Sequence, residues 1–162
     1  MTDWIDDFMA QADKVIRQSG RLVLSILGEP GNPSEYPFSY SVGHAEKDHP
    51  ELMLTSLGGD TATYLINTVA DELEKRGWEW SEDDLIELEQ VKIRLMLAEN
   101  FDAKTPIATR RAEAKGAKSL RFLQILWPDP AGKFPDESEY DKENFPQPIW
   151  QHDQEKAKGG IN

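Results

Sequence analysis

The stretch Pro37–Leu57, PFSYSVGHAEKDHPELMLTSL, constrains the fold more than any other part of the chain. Phe38, Tyr40 and Val42 alternate strictly with Ser39 and Ser41, the two-residue period of a strand with one buried face. Glu51–Leu57 reads as another strand, and the short polar loop between the two holds two of the three histidines. Just before this stretch, Arg21–Gly28 (RLVLSILG) is a β-branched and leucine run. It is separated from the alternating strand by Glu29–Tyr36, EPGNPSEY, whose Pro, Gly, Asn and Ser demand a turn. The spacing predicts a hairpin followed by a third strand. Three adjacent strands without an intervening helix favour an antiparallel or mixed sheet over a regular βαβ repeat.

Helical periodicity frames this core. Trp4, Ile5, Phe8, Met9, Ala12, Val15 and Ile16 recur at helical spacing over Thr2–Gln18, with Thr2 or Asp3 as cap and Gly20 at the end. The paired large residues at its start predict docking on the sheet. Asp60–Arg76 is the clearest helix. Asp60 or Thr61 is its expected cap, Tyr64, Leu65, Thr68, Val69 and Leu73 its buried stripe, and Gly77 its stop. Ser81–Asp84 resembles a capping box, which predicts a short helical turn over Glu82–Leu88. Val91–Leu97 alternates as a strand with a wet face. Thr105 and Pro106 begin a peripheral helix that reaches about Lys115, and Leu120–Trp127 is a last strand, apolar on both faces. From Pro128 to Trp150 five prolines and many charges predict an extended segment that wraps the surface through Phe134, Tyr140, Phe145, Ile149 and Trp150. The sum is an α+β fold: a mostly antiparallel or mixed five-stranded sheet with helices on one side and an extended Pro-rich C-terminal segment. Residues 1–150 are expected to form a single domain and 151–162 a tail.

At 162 residues the chain is long enough for a proper core, to which five Trp, six Phe and four Tyr bring bulk. The absence of cysteine excludes disulfides, thiolate zinc sites and cysteine nucleophiles. A net charge of −12 argues against direct nucleic-acid binding and against an anionic membrane surface. No apolar run approaches the roughly 20 residues that span a bilayer, and the N-terminus lacks the pattern of a secretory signal. A cytoplasmic location is therefore expected.

Several of these elements together resemble a known family. Pro37, Phe38, Tyr40, Val42 and Gly43 lead into Pro50, Glu51 and Leu52. Later come Gln124, Trp127, Pro128, Asp129, Gly132, Phe134 and Pro135, then Gln147 and Pro148. From about Phe38 to Trp150 the chain resembles the domain of unknown function 4262 family, small proteins of bacteria and phages. Two positions depart from the pattern: Asp136 stands where an aromatic is expected, and His44 where Leu is more usual. The resemblance implies a compact intracellular domain and carries no activity with it.

Candidate chemistry concentrates in GHAEKDHPE. His44, Glu46, Asp48, His49 and Glu51 offer imidazole and carboxylate, the residue types of a metal site or a general acid–base pair, and His44, Glu46 and His49 are the candidates for catalysis. The same composition also suits a solvated turn, and no HExxH spacing is present. Ser39, Ser41, Thr55 and Ser56 share the strand pair near His44, but no nucleophile elbow surrounds any of them. Gly58 and Gly59 before the clear helix offer amides for an anion, in competition with a cap from Asp60. Lys104, Arg110, Arg111, Lys115 and Lys118 read as an exposed basic face. Finally, Tyr40, His44, Trp127 and Asp129 would line a ligand pocket if the two motifs meet in space; otherwise Trp127–Pro135 is a lock that closes the C-terminal segment over the sheet. No motif specifies a cofactor, and no metal ligand set is assigned. The sequence thus predicts a binding domain for a small molecule or a protein partner. One alternative is a His-dependent or metal-assisted hydrolase centred on residues 43–51. Another is an acidic phage protein that turns Glu79–Glu89 and Asp136–Glu143 toward a basic host factor.

Overall fold

The computed structural model describes residues 4–27, 36–82, 84–99 and 101–150. The expected caps Thr2 and Asp3, most of the turn after Leu27 and the tail from Gln151 lie outside them. In chain order the elements are α1 (Trp4–Ser19), β1 (Leu22–Ile26), β2 (Phe38–Val42), a 3₁₀ turn at Ala45–Lys47 and β3 (Glu51–Thr55). They continue with α2 (Gly59–Lys75), β4 (Ile86–Glu87), β5 (Lys92–Ala98), a second 3₁₀ turn at Phe101–Lys104, α3 (Pro106–Ala114) and β6 (Phe122–Leu126). The six strands form one mixed sheet in the order β1-β2-β3-β6-β5-β4, in which only β3 and β6 run parallel. The fold is α+β, with six strands rather than five. The sixth is β4. Ser81–Asp84 makes a turn, but Ile86 then pairs with Ile93 and is 2% exposed, so burial of Ile86 beside β5 overrides the local helix signal.

Helices cover both faces of the sheet, not one. On one face α2 lays Ala62, Leu65, Ile66, Val69 and Leu73 against Leu52, Leu54, Ile93, Leu95, Leu123 and Ile125. Each such Leu or Ile contributes about 1.5–3 kcal/mol by leaving water. The stripe is rotated from the predicted one, and Tyr64 is 45% exposed. Neither Asp60 nor Thr61 caps α2; Gly58 is the N-cap residue, and no side chain bonds there. The other end closes as a Schellman motif. Gly77 takes φ 68°, its N–H donates to Glu74 O, and Trp78 N–H donates to Leu73 O.

On the second face Tyr40, Val42, Met53, Ala98, Phe101 and Phe122 pack with Ile16 of α1 and Ala108 of α3. The start of α1 does not dock there: Trp4 is 69% exposed, and only Ala12 and Ile16 are buried. Because both faces are covered, the serines of β2 are buried along with Tyr40 and Val42. The expected wet face is lost because α2 lies over it. Gln124 ties the C-terminal segment to the sheet by donating to Pro148 O and accepting from Trp150 N, and Met96, Leu126 and Phe134 form a small apolar cluster beneath it. No helix among the described residues is long and apolar enough to cross a membrane.

Candidate functional site

Pairing of β2 with β3 stops at Tyr40↔Met53. Beyond that point the strands part, and the loop between them folds inward at Gly43, whose φ is +123°. A Cβ at this position would sit 3.1 Å from Ile16 Cγ2 and 3.2 Å from Gly20 O, so glycine is required for space as well as for conformation. The turn aims three consecutive amides, Gly43, His44 and Ala45, at Glu51 Oε2 over 3.0, 2.9 and 2.9 Å. Glu51 Oε1 accepts the Ser41 hydroxyl at 2.7 Å, and that hydroxyl accepts the N–H of Leu52 at 2.9 Å. Glu51 is 1% exposed. Burial pushes its carboxyl up to about 7, against the pull of these four donors.

His44 lies beside this carboxylate, 3% exposed. Its Nε2 accepts from Arg21 Nε at 3.0 Å, which fixes the tautomer with the proton on Nδ1, facing Pro50 O at 3.1 Å. Burial, reinforced by the charge of Arg21, pulls the imidazole down to about 3. Its 3.4 Å approach to Glu51 Oε1 is therefore no ion pair at neutral pH. Arg21 also reaches Asn67 at 3.1 Å and Asp71 at 3.4 Å on α2. The arrangement holds the residue types of a hydrolytic triad in the wrong connectivity. Ser41 donates to the carboxylate rather than to the imidazole, and the imidazole lone pair is taken by a guanidinium.

The remaining loop residues point elsewhere. Glu46 forms a bidentate pair with Arg111 at 2.7 and 3.0 Å, and Arg111 also holds Asp13 at 2.8 Å. Arg111 is 5% exposed, which corrects its assignment to an exposed basic face: neutralised by two carboxylates, it is buried between α1, α3 and the first 3₁₀ turn. His49 stacks on Trp78 at 4.6 Å, while His44 meets the same indole edge-on at 5.0 Å. Among the described residues no group of His, Asp and Glu is arranged to hold a metal ion.

Tyr40, His44, Trp127 and Asp129 do not line one pocket. Glu51 pairs with Phe122 at the start of the parallel β3 and β6, so the His44 loop lies at one end of the sheet. Trp127, which follows β6, lies at the other, where its indole N–H donates to Thr55 O. The parallel register separates the two motifs by the length of a strand. Tyr40 belongs to the aromatic cluster on the α1 face, 6.3 Å from Phe101 and 6.1 Å from Phe122, and burial pushes its phenol up to about 12. Asp129 accepts backbone N–H groups from Ala131, Lys133 and Asp141, which hold its carboxyl below the usual range. These are the contacts of a segment lock.

The spatial neighbour of the His44 loop is the start of β6. Glu51 N–H donates to Arg121 O, and Arg121 Nη2 to Asp48 O. On this side a groove of about 320 Å³ opens between the end of β5 and the start of β6. Leu97, Phe101, Leu120 and Phe122 give it apolar walls, and Glu99, Asp102 and Arg121 complete its lining. Sequence reasoning missed this groove because its walls come from two stretches, 97–102 and 120–122, that only the pairing of β5 with β6 brings together. It also missed Arg21, which carries no periodic or motif signal at the mouth of β1.

A family model described as "Domain of unknown function (DUF4262)" matches residues 15–141, a span that includes the Glu51 nest, the groove and the Asp129 lock. No curated protein and no solved structure matches the chain.

Proposed function

The chain belongs to the DUF4262 family, whose description names no activity, and from that premise we propose that it is a binding domain whose ligand is a small amphipathic molecule held in the groove beside Phe101 and Phe122. The observation that carries this reading is the groove itself. Its size falls at the lower end of small-molecule sites, and its lining of aromatic and aliphatic walls with a few charged groups is the chemistry such sites use. The state of the His44 loop favours binding over turnover, since Ser41, His44 and Glu51 all direct their polar atoms at partners within the protein. The net charge of −12 disfavours nucleic acid as the partner.

An NMR fragment screen with small aromatic amines and acids tests the reading. Binding fragments are expected to shift the amides of Leu97, Ala98, Phe101 and Phe122, and Leu97→Trp, which fills the groove, is expected to abolish those shifts. Leu97 is 38% exposed, so the larger side chain is tolerated by the fold. A screen in which no fragment perturbs these amides, or in which the filled variant binds as the parent does, overturns it.

A further inference from the structure

The two edges of the sheet are built differently. The β4 edge is two residues long, and Glu87 there faces Lys92 at 3.5 Å; short length and charge are the usual protection of an open edge. The β1 edge has neither. Leu22–Leu27 contains no charged residue and no proline, in a chain that is 30% charged. Ile26 is 41% exposed, Leu27 84%, and Tyr36, just before β2, 38%.

The ladder shows which backbone groups this edge presents. Ser56 N–H donates to Pro37 O at 2.8 Å, which makes Phe38↔Thr55 a non-hydrogen-bonded pair and turns the backbone groups of Phe38, Tyr40 and Val42 toward β1. Their partners Ile26, Leu24 and Leu22 accordingly face β2, and the N–H and C=O groups of Val23 and Ser25 face outward. Among the described residues none bonds to them.

We propose that the β1 edge is the interface of a two-fold dimer, in which β1 pairs antiparallel with β1 of a second copy about an axis at Leu24. In this register Val23 lies opposite Ser25 of the other copy and each exchanges both backbone groups with it, so every outward donor and acceptor of the strand is satisfied at once. Leu24 meets its own counterpart and Leu22 meets Ile26, so every side-chain pair on that face is apolar. A second copy fits this edge because the strip is neutral and its alternation is self-complementary about Leu24. A strand-to-strand contact this narrow belongs below the ~800 Å² per partner of a standard interface, so the dimer is a weak one that forms with rising concentration. The proposal is independent of the groove, which lies among β5, β6 and the turn between them.

Sedimentation velocity of the full chain up to about 500 μM tests it. The expected result is a concentration-dependent species of twice 18.4 kDa. The double variant Ile26→Lys, Leu27→Lys should remain at the monomer mass with unchanged circular dichroism, whereas Leu85→Lys at the opposite edge, where Leu85 is 50% exposed, should still dimerise. Hydrogen exchange of the parent chain gives a readout that needs no variant: the amides of Val23 and Ser25 should gain protection as concentration rises, while those already bonded to β2 do not. A parent chain that stays monomeric throughout, a dimer that survives the double substitution, or exchange at Val23 and Ser25 that ignores concentration overturns the proposal.

Discussion

At the scale of single residues, Glu51 and His44 make opposite contributions to stability as pH changes. Folded Glu51 keeps its proton up to about 7 where the unfolded carboxyl loses it near 4.5, so between these values its contribution falls as pH rises. Folded His44 stays neutral down to about 3 where the unfolded imidazole protonates near 6.5, so between these values its contribution rises with pH. From about pH 4.5 to 6.5 the two slopes cancel, and the parent chain should be flat there. Replacing one partner exposes the other. Glu51→Gln, whose carbonyl can still accept the three loop amides, should gain stability with rising pH across that window, by roughly 1.4 kcal/mol per unit. His44→Asn, which keeps a donor toward Pro50 O, should lose stability with rising pH by a similar slope. Urea titrations at half-unit steps measure both. Parallel profiles for the parent and both variants would show that neither group titrates as its surroundings dictate.

Elements are joined here by ion pairs that no local pattern announces. Arg111 of α3 binds Asp13 of α1 and Glu46 of the first 3₁₀ turn, so one side chain fixes three elements on one face of the sheet. Removing it strands Glu46 but leaves Asp13 with Arg17 at 2.8 Å and Lys115 at 3.4 Å, and both carboxylates, 20% and 26% exposed, keep part of their hydration. Arg111→Ala should therefore cost about 2–3 kcal/mol, below the range for a fully buried pair. Arg111→Lys should recover only part of this, because an ammonium cannot hold Glu46 by two parallel bonds. Chemical denaturation of the two variants tests that order. The same residue shows what could be read from the chain and what could not. Strands β1, β2, β3, β5 and β6 and all three helices follow from local signals (alternation, short apolar runs, helical spacing and terminal residues), each of which one stretch of sequence contains complete. Burial of Arg111 depends on residues 65 and 98 positions away, and β4 depends on a neighbour across the ladder. The candidate site divides along the same line. The residues of the His44 loop could be named in advance, but the capture of the His44 imidazole by Arg21 and the parallel pairing that separates His44 from Trp127 are long-range facts.

Across the whole molecule, the C-terminal segment closes the second layer, and buried polar groups fasten it alongside the apolar contacts of Phe134 and Trp150. Gln147, 7% exposed, accepts the N–H of Trp127 at 2.9 Å and donates to Trp127 O and to Tyr140 Oη, so it serves as a strand partner for the residue where β6 ends. Gln147→Leu keeps the volume and leaves the buried N–H and C=O of Trp127 unpaired, while Tyr140 Oη keeps its bond to Phe145 O, at a cost of about 3 kcal/mol. For a chain of this size that corresponds to a fall in Tm of roughly 6–12 °C. Asp129 secures the other end of the same segment, and its carboxyl is held low by the N–H groups of Asp141, Lys133 and Ala131. A depressed carboxyl gives stability that is complete above its ordinary value near 3.8 and is lost as pH falls through the folded value. Asp129→Asn places an amide N–H₂ where one of those donors points and carries no titrating charge. Limited proteolysis should therefore cut residues 128–150 faster in Asp129→Asn than in the parent at pH 7, with a rate that no longer depends on the charge at residue 129 as the solution is acidified. The groove lies at the far end of β6 from this lock, so groove binding should survive in both variants. Loss of binding on release of the segment would mean that the second layer, and not the sheet alone, holds Phe101 and Phe122 in place.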